Sequence, residues 1–140
     1  MTRRSRHGAG EMGSAVVGFA IVAPILFMLL FGVMDFGRAL YTYHFVGYAA
    51  REGTRWAIVR GSGCSGCTAG ASDVQTYVKG LATGGIDPTR ITVTTTWPNG
   101  DNKAGSPVRV QVQYGFQFLV PFMPSSGITM KSTSQMVISQ

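Results

Sequence analysis

From Gly13 to Met34 the chain reads GSAVVGFAIVAPILFMLLFGVM, without one charged side chain. As a helix at 1.5 Å per residue this run extends roughly 33 Å, about the thickness of a bilayer's hydrocarbon core. A core helix of a soluble protein rarely continues so far without a polar face, so the run is expected to cross a membrane. A cleaved secretory signal also opens on basic residues, but its apolar region is about half this length and ends at a small-residue site. Here Met34 leads straight into Asp35 and Arg38.

The helical period continues past the apolar run. Phe36, Ala39, Tyr43, Val46, Ala50, Gly53 and Ala57 recur at spacings of three and four, which predicts one buried stripe on a helix reaching towards Arg60. Asp35, Arg38, Arg51, Glu52 and Arg55 lie off that stripe and are expected on a wet face. Several stripe residues are small, which lets a neighbouring element approach closely.

Glycines and serines in GSGCSGCTAGAS, from Gly61 to Ser72, predict a surface loop. Asp73 is expected to cap a short helix carrying Val74, Tyr77, Val78 and Leu81, which Gly84 and Gly85 terminate. The period then changes to two. Ile91, Val93, Thr95 and Trp97 predict a half-buried strand that PNGD turns, and Val108, Val110, Val112, Tyr114, Phe116 and Phe118 alternate with mostly polar residues in a second. Ile128, Met130, Met136 and Ile138 share a parity in a third. FLVPFMPSS, from Phe118 to Ser126, reads as a partly buried connection. The fold expected is α+β: a long N-terminal transmembrane helix whose outer half packs on a small antiparallel sheet of about three strands, the ground plan of a pilin.

Charge adds an orientation. Of the net +6, the one tight cluster is Arg3, Arg4 and Arg6, ahead of the apolar run. The positive-inside rule then puts the N-terminus in the cytoplasm and everything from about Asp35 outside. The remaining basic residues are spread along the chain, so no nucleic-acid partner is expected. The expected divisions are a basic cytoplasmic leader at 1–13, a transmembrane helix at 14–34 and an extracytoplasmic domain at 35–140.

The two cysteines, Cys64 and Cys67, fall in the part expected outside, where disulfides persist, and a local disulfide is the favoured reading. A zinc site needs two further ligands, and the histidines are His7 and His44. A redox pair is expected at the start of a helix after a strand, whereas this pair follows a helix. No catalytic constellation is legible: Asp35, Glu52, Asp73, Asp87 and Asp101 are scattered, His44 is expected on a helix surface, and no glycine-rich phosphate loop is present. No enzyme activity, cofactor or metal is expected.

Gly13 followed by small and apolar residues, Phe19, Pro24 within the apolar run, DFGRALY at Asp35 to Tyr41 and AAREGTRWA at Ala49 to Ala57 together resemble the TadE-like pseudopilins of tight-adherence (Flp-type) pilus systems. The resemblance is strong over roughly 13–61 and one of strand pattern downstream. It implies a prepilin peptidase cutting between Gly13 and Ser14. It also implies an assembly helix containing Gly18, Phe19, Pro24, Asp35, Phe36 and Arg38. Its expected partners are the membrane, other pilin or pseudopilin subunits and the pilus assembly platform.

One position departs from the family pattern. Where the family places a glutamate five residues into the mature chain, this sequence has Gly18. Such a glutamate is thought to neutralise the amino terminus of a neighbouring subunit, since an unpaired charge in lipid or in a helical core costs several kcal/mol. Glu11 lies on the leader side of the expected cut. Two functional readings follow. One is a minor pseudopilin or pilus-assembly protein acting through its N-terminal helix; the other is a signal-anchored extracytoplasmic binding module that stays in the membrane.

Overall fold

A computed structural model describes residues 8–119 and 127–139, with side chains from residue 13 onward. Arg3, Arg4 and Arg6, most of the 118–126 connection, and the side chain of Glu11 lie outside the described residues. A helix α1, Gly8–Ile58, is followed by α2, Ala71–Gly80, and by a short 3-10 turn at Pro88–Arg90. Three strands come next: β1 (Ile91–Thr96), β2 (Pro107–Phe116) and β3 (Ile128–Val137). The sheet is an antiparallel meander in the order β1-β2-β3. This is the α+β arrangement that the shift in period from 3.6 to 2 predicts.

The sheet has one covered face. Val108, Val110 and Val112 on the central strand are fully buried, with Tyr114 and Phe116 continuing the same parity. Burying each such valine stabilises the fold by about 2 kcal/mol relative to leaving it in water. The opposite face carries threonines, glutamines and lysine, and there Arg109 Nε donates to its cross-strand partner Gln135 Oε1 at 3.0 Å.

The outer half of α1 lies across β2 and β3, while α2 covers β1. Close approach is possible because Ala49, Ala50, Gly53, Thr54 and Ala57 present almost no bulk. The buried Thr54 hydroxyl is satisfied by the Ala50 carbonyl at 2.7 Å, and reaches the Ser134 carbonyl at 3.4 Å. Trp56 stacks on Tyr77 with ring centres 5.0 Å apart, and Arg60 stands 4.2 Å from the centre of the indole ring, so α2 is clipped to α1. Burial and then the nearby Glu52 carboxylate raise the Tyr77 phenol above its ordinary pKa, which keeps it a neutral donor to Glu52 Oε1. The segment after β3 returns to α1: Ser139 donates its N–H (3.0 Å) and hydroxyl (3.1 Å) to the Ile58 carbonyl, one of those that the helix end leaves without an intrahelical partner.

Three local expectations are corrected. Phe36 and Tyr43 are not on the buried stripe, being 66% and 64% exposed, and Asp35 is not on a wet face, being 4% exposed. The buried line runs through Asp35, Thr42 and Phe45, with Ala39 half-buried, and meets the expected positions from Val46 onward, at Val46, Ala50, Gly53 and Ala57. Near the apolar run the residue facing the sheet is selected by hydrogen bonding to the end of β2, and an aromatic there is free to face outward. Asp73 does not cap α2 from the N-cap position. Gly70 holds that place, and Asp73 accepts the Gly70 N–H at 2.8 Å from inside the first turn.

Candidate functional site: a bare apolar helix and its exit clamp

Among the described residues, α1 packs against nothing in the domain from residue 13 to 34. Every side chain in this stretch is exposed except half-buried Ala23, and bulky residues such as Phe19 and Ile25 are 72% and 65% exposed. An uncharged helix with no apolar partner is unstable in water, where it would expose far more than the few hundred Å² of apolar patch usual on a monomer. It is long and apolar enough to cross a membrane, and it fits a single-pass anchor. Pro24 supplies no N–H to the helix ladder, a gap that transmembrane helices tolerate. Gly13, Gly18, Gly32 and Gly37 all have open space where a Cβ would stand.

The expected cleavage point, between Gly13 and Ser14, lies within continuous helix, since α1 begins at Gly8. Gly13, Ser14, Gly18, Phe19 and Pro24 are strung along α1 and, among the described residues, meet nothing in the domain. Asp35 and Arg38 are brought together. Arg38 Nη1 donates to Asp35 Oδ1 at 2.8 Å, and the backbone N–H of Leu119 donates to Asp35 Oδ2 at 2.7 Å. The Arg38 guanidinium lies 5.4 Å from the centre of the Phe116 ring, and Thr42 Oγ1 bonds the Arg38 carbonyl at 2.9 Å. Where the apolar run ends, one buried carboxylate therefore ties α1 to the chain leaving β2. Sequence reasoning missed this clamp. The signal was an Asp and an Arg three apart, directly after an uncharged run, which is the spacing of a helical ion pair.

At the far end of the domain Cys64 and Cys67 form a disulfide, their Cα atoms 5.3 Å apart. Its loop is held by Ala69 N–H to the Arg60 carbonyl (2.9 Å) and Ser62 N–H to the Asn102 carbonyl (2.6 Å). Asn102 also donates to the Ala69 carbonyl at 3.1 Å and accepts from the Trp97 indole at 3.0 Å, joining this loop to the β1–β2 turn. A ring this short removes little unfolded-state entropy, so replacing both cysteines by serine is expected to cost no more than about 2 kcal/mol. Faster hydrogen exchange should be confined to roughly 61–69, and thiol labelling with and without reductant should differ by two groups. Exchange accelerated across the sheet as well would contradict that local role.

A small α+β domain carried on one long apolar helix is thus the class that fold and site define. The sequence profile of the TadE-like protein family matches residues 13–55, which is the bare part of α1, the Asp35–Arg38 clamp and the small-residue face beyond it. The matched stretch is less than half of the chain, and the strands of the sheet lie beyond it. No curated protein and no solved structure matches the chain.

Proposed function

We propose that the chain is a minor pseudopilin or pilus-assembly protein of a Tad/Flp-type system and acts through α1. The observation that carries this reading is a helix exposed along its uncharged length, Ala23 apart, on a domain whose described core closes without it. In this reading residues 1–13 are a cytoplasmic leader, 14–34 span the inner membrane, and 35–140 form the extracytoplasmic domain. A prepilin peptidase cuts between Gly13 and Ser14, after local unwinding of that end of α1. Other pilin or pseudopilin helices then take the place of lipid along 14–34. A second reading rests on Gly18: without a carboxylate there, the chain remains uncut at the assembly platform.

One substitution separates the two. Gly18→Glu restores the missing carboxylate, and open space at Gly18 means that the isolated chain accommodates it without a clash. An assembling subunit should be recovered in sheared filaments as well as or better than the parent chain, with a native N-terminus at Ser14 by mass spectrometry. Absence from filaments in both forms, with Gly13 and Ser14 still joined, would remove the filament role and leave the platform one.

A further inference from the structure

We propose that the cavity beside the exit of α1 from its apolar run holds the phosphate headgroup of an anionic phospholipid, gripped by Arg38 and Arg90. This rests on the reading of 14–34 as a membrane span. The cavity, about 500 Å³, lies between α1, the Gly84–Gly85 turn and the end of β2. Its edge is Met34, the last residue of the uncharged run. Arg38 stands one turn further, roughly 6 Å along the axis. The headgroup layer outside the hydrocarbon core is itself about 5–7 Å thick, so Arg38 reaches phosphate depth. Arg90 lines the same space from the other wall. Tyr114 and Phe116 form an apolar back to it, suited to the glycerol and first methylenes of a lipid.

The wall nearest the turn is fixed by backbone geometry. Gly84 and Gly85 have φ of +63° and +87°, and a Cβ on Gly84 would stand 2.5 Å from the Tyr41 hydroxyl, which itself donates to the Thr83 carbonyl at 3.3 Å. Each cation has a carboxylate neighbour: Arg38 has Asp35, and Arg90 Nε is 3.6 Å from Asp87 Oδ2. Both carboxylates, however, also hold donors of their own. Asp35 accepts the Leu119 N–H, and Asp87 Oδ1 accepts the Thr89 N–H at 2.9 Å and its hydroxyl at 2.7 Å. The Thr89 bonds hold the Asp87 carboxyl below its usual pKa, with Arg90 adding to the effect, so the pair is charged at neutral pH. A guanidinium carries five N–H donors. Among the described residues Arg38 gives one side-chain bond to Asp35, and Arg90 one to Gln117 Oε1 at 2.7 Å, so both retain donors for a phosphate oxygen. Their side chains are 45% and 40% exposed.

The test uses the full chain in nanodiscs of phosphatidylcholine with a minor share of phosphatidylglycerol, extracted in mild detergent, with retained lipid counted by native mass spectrometry. The parent chain should retain phosphatidylglycerol in preference to phosphatidylcholine. Arg90→Gln should lower that retention about 5-fold, and Arg38→Gln with Arg90→Gln about 25-fold, at roughly one surface cation's attraction per residue. Arg90→Gln leaves the Asp35 clamp intact, so its result stands even where the double variant folds poorly. Arg51→Gln with Arg109→Gln removes equal charge elsewhere and should leave retention unchanged; an equal loss in that pair would overturn the proposal. Saturable binding of micromolar inorganic phosphate to the lipid-free chain in detergent would overturn the lipid as the source. Entry into the discs without selective retention defeats this inference alone, whereas failure to enter any bilayer removes the spanning reading and the inference with it.

Discussion

Asp35→Ala is expected to detach the end of β2 from α1 and to lower the stability of the domain by about 3 kcal/mol. Breaking a buried ion pair typically costs about 3–5 kcal/mol. The lower end applies because the Arg38 side chain is 45% exposed and regains water once released. A second contribution comes from the Leu119 N–H, which donates to Asp35 Oδ2 at 2.7 Å and loses that acceptor. Asp35→Asn keeps an acceptor oxygen while removing the charge, and should cost less. Hydrogen exchange at Leu119 reads the clamp directly: it should speed up in Asp35→Ala while amides of Val110 and Val112 respond only through global stability. Unchanged exchange at Leu119 would show that the clamp does not hold that segment. A loss of stability here also bears on function, because the clamp sets how the domain sits over the end of the apolar run.

The second large effect is expected at Gly53, where α1, α2 and β2 meet. A Cβ at this position would lie 2.6 Å from Val78 Cγ2 and 3.4 Å from Val110 Cγ1, and both valines are fully buried. Neither can retreat without opening a gap elsewhere, since buried interiors are close-packed. Gly53→Val should therefore cost about 2–3 kcal/mol, after a few tenths returned by better helix propensity. That corresponds to a melting temperature lower by roughly 10–15 °C for a domain of this size. Gly47→Ala is the matched comparison. There the nearest atom is the flexible end of Arg51 at 4.0 Å, and alanine should be neutral or stabilising by up to about 1 kcal/mol. Gly53→Val no more destabilising than Gly47→Ala would mean that the crossing is looser than its geometry indicates.

Much of this was legible in the chain itself. The uncharged run from Gly13 to Met34 could be read directly because lipid demands a continuous apolar segment and water does not tolerate one left bare. The three strands were equally plain, since alternation along Val108 to Phe116 fits a sheet with one covered face and no helix. The Cys64–Cys67 disulfide was expected from their place in the part read as exported and from the scarcity of further zinc ligands. The resemblance at Gly13, Phe19, Pro24 and DFGRALY is matched by the family profile over 13–55.

Tertiary structure alone decided which side of α1 faces the sheet just beyond the apolar run. Periodicity fixes the relative phase of residues on a helix but not the face a neighbour will choose. Phe36 and Tyr43 stay exposed, so aromatic character by itself did not mark the covered face. Asp35 turned inward because the N–H of Leu119, 84 positions away, offered it a partner. The Arg38–Arg90 cavity has the same origin: 52 residues separate the two arginines in sequence, and only the meander that returns β2 to the exit of α1 lines one space with both. Hydrophobic patterning records what each residue requires of its solvent, whereas long-range polar pairing depends on which groups the completed fold brings within hydrogen-bonding reach.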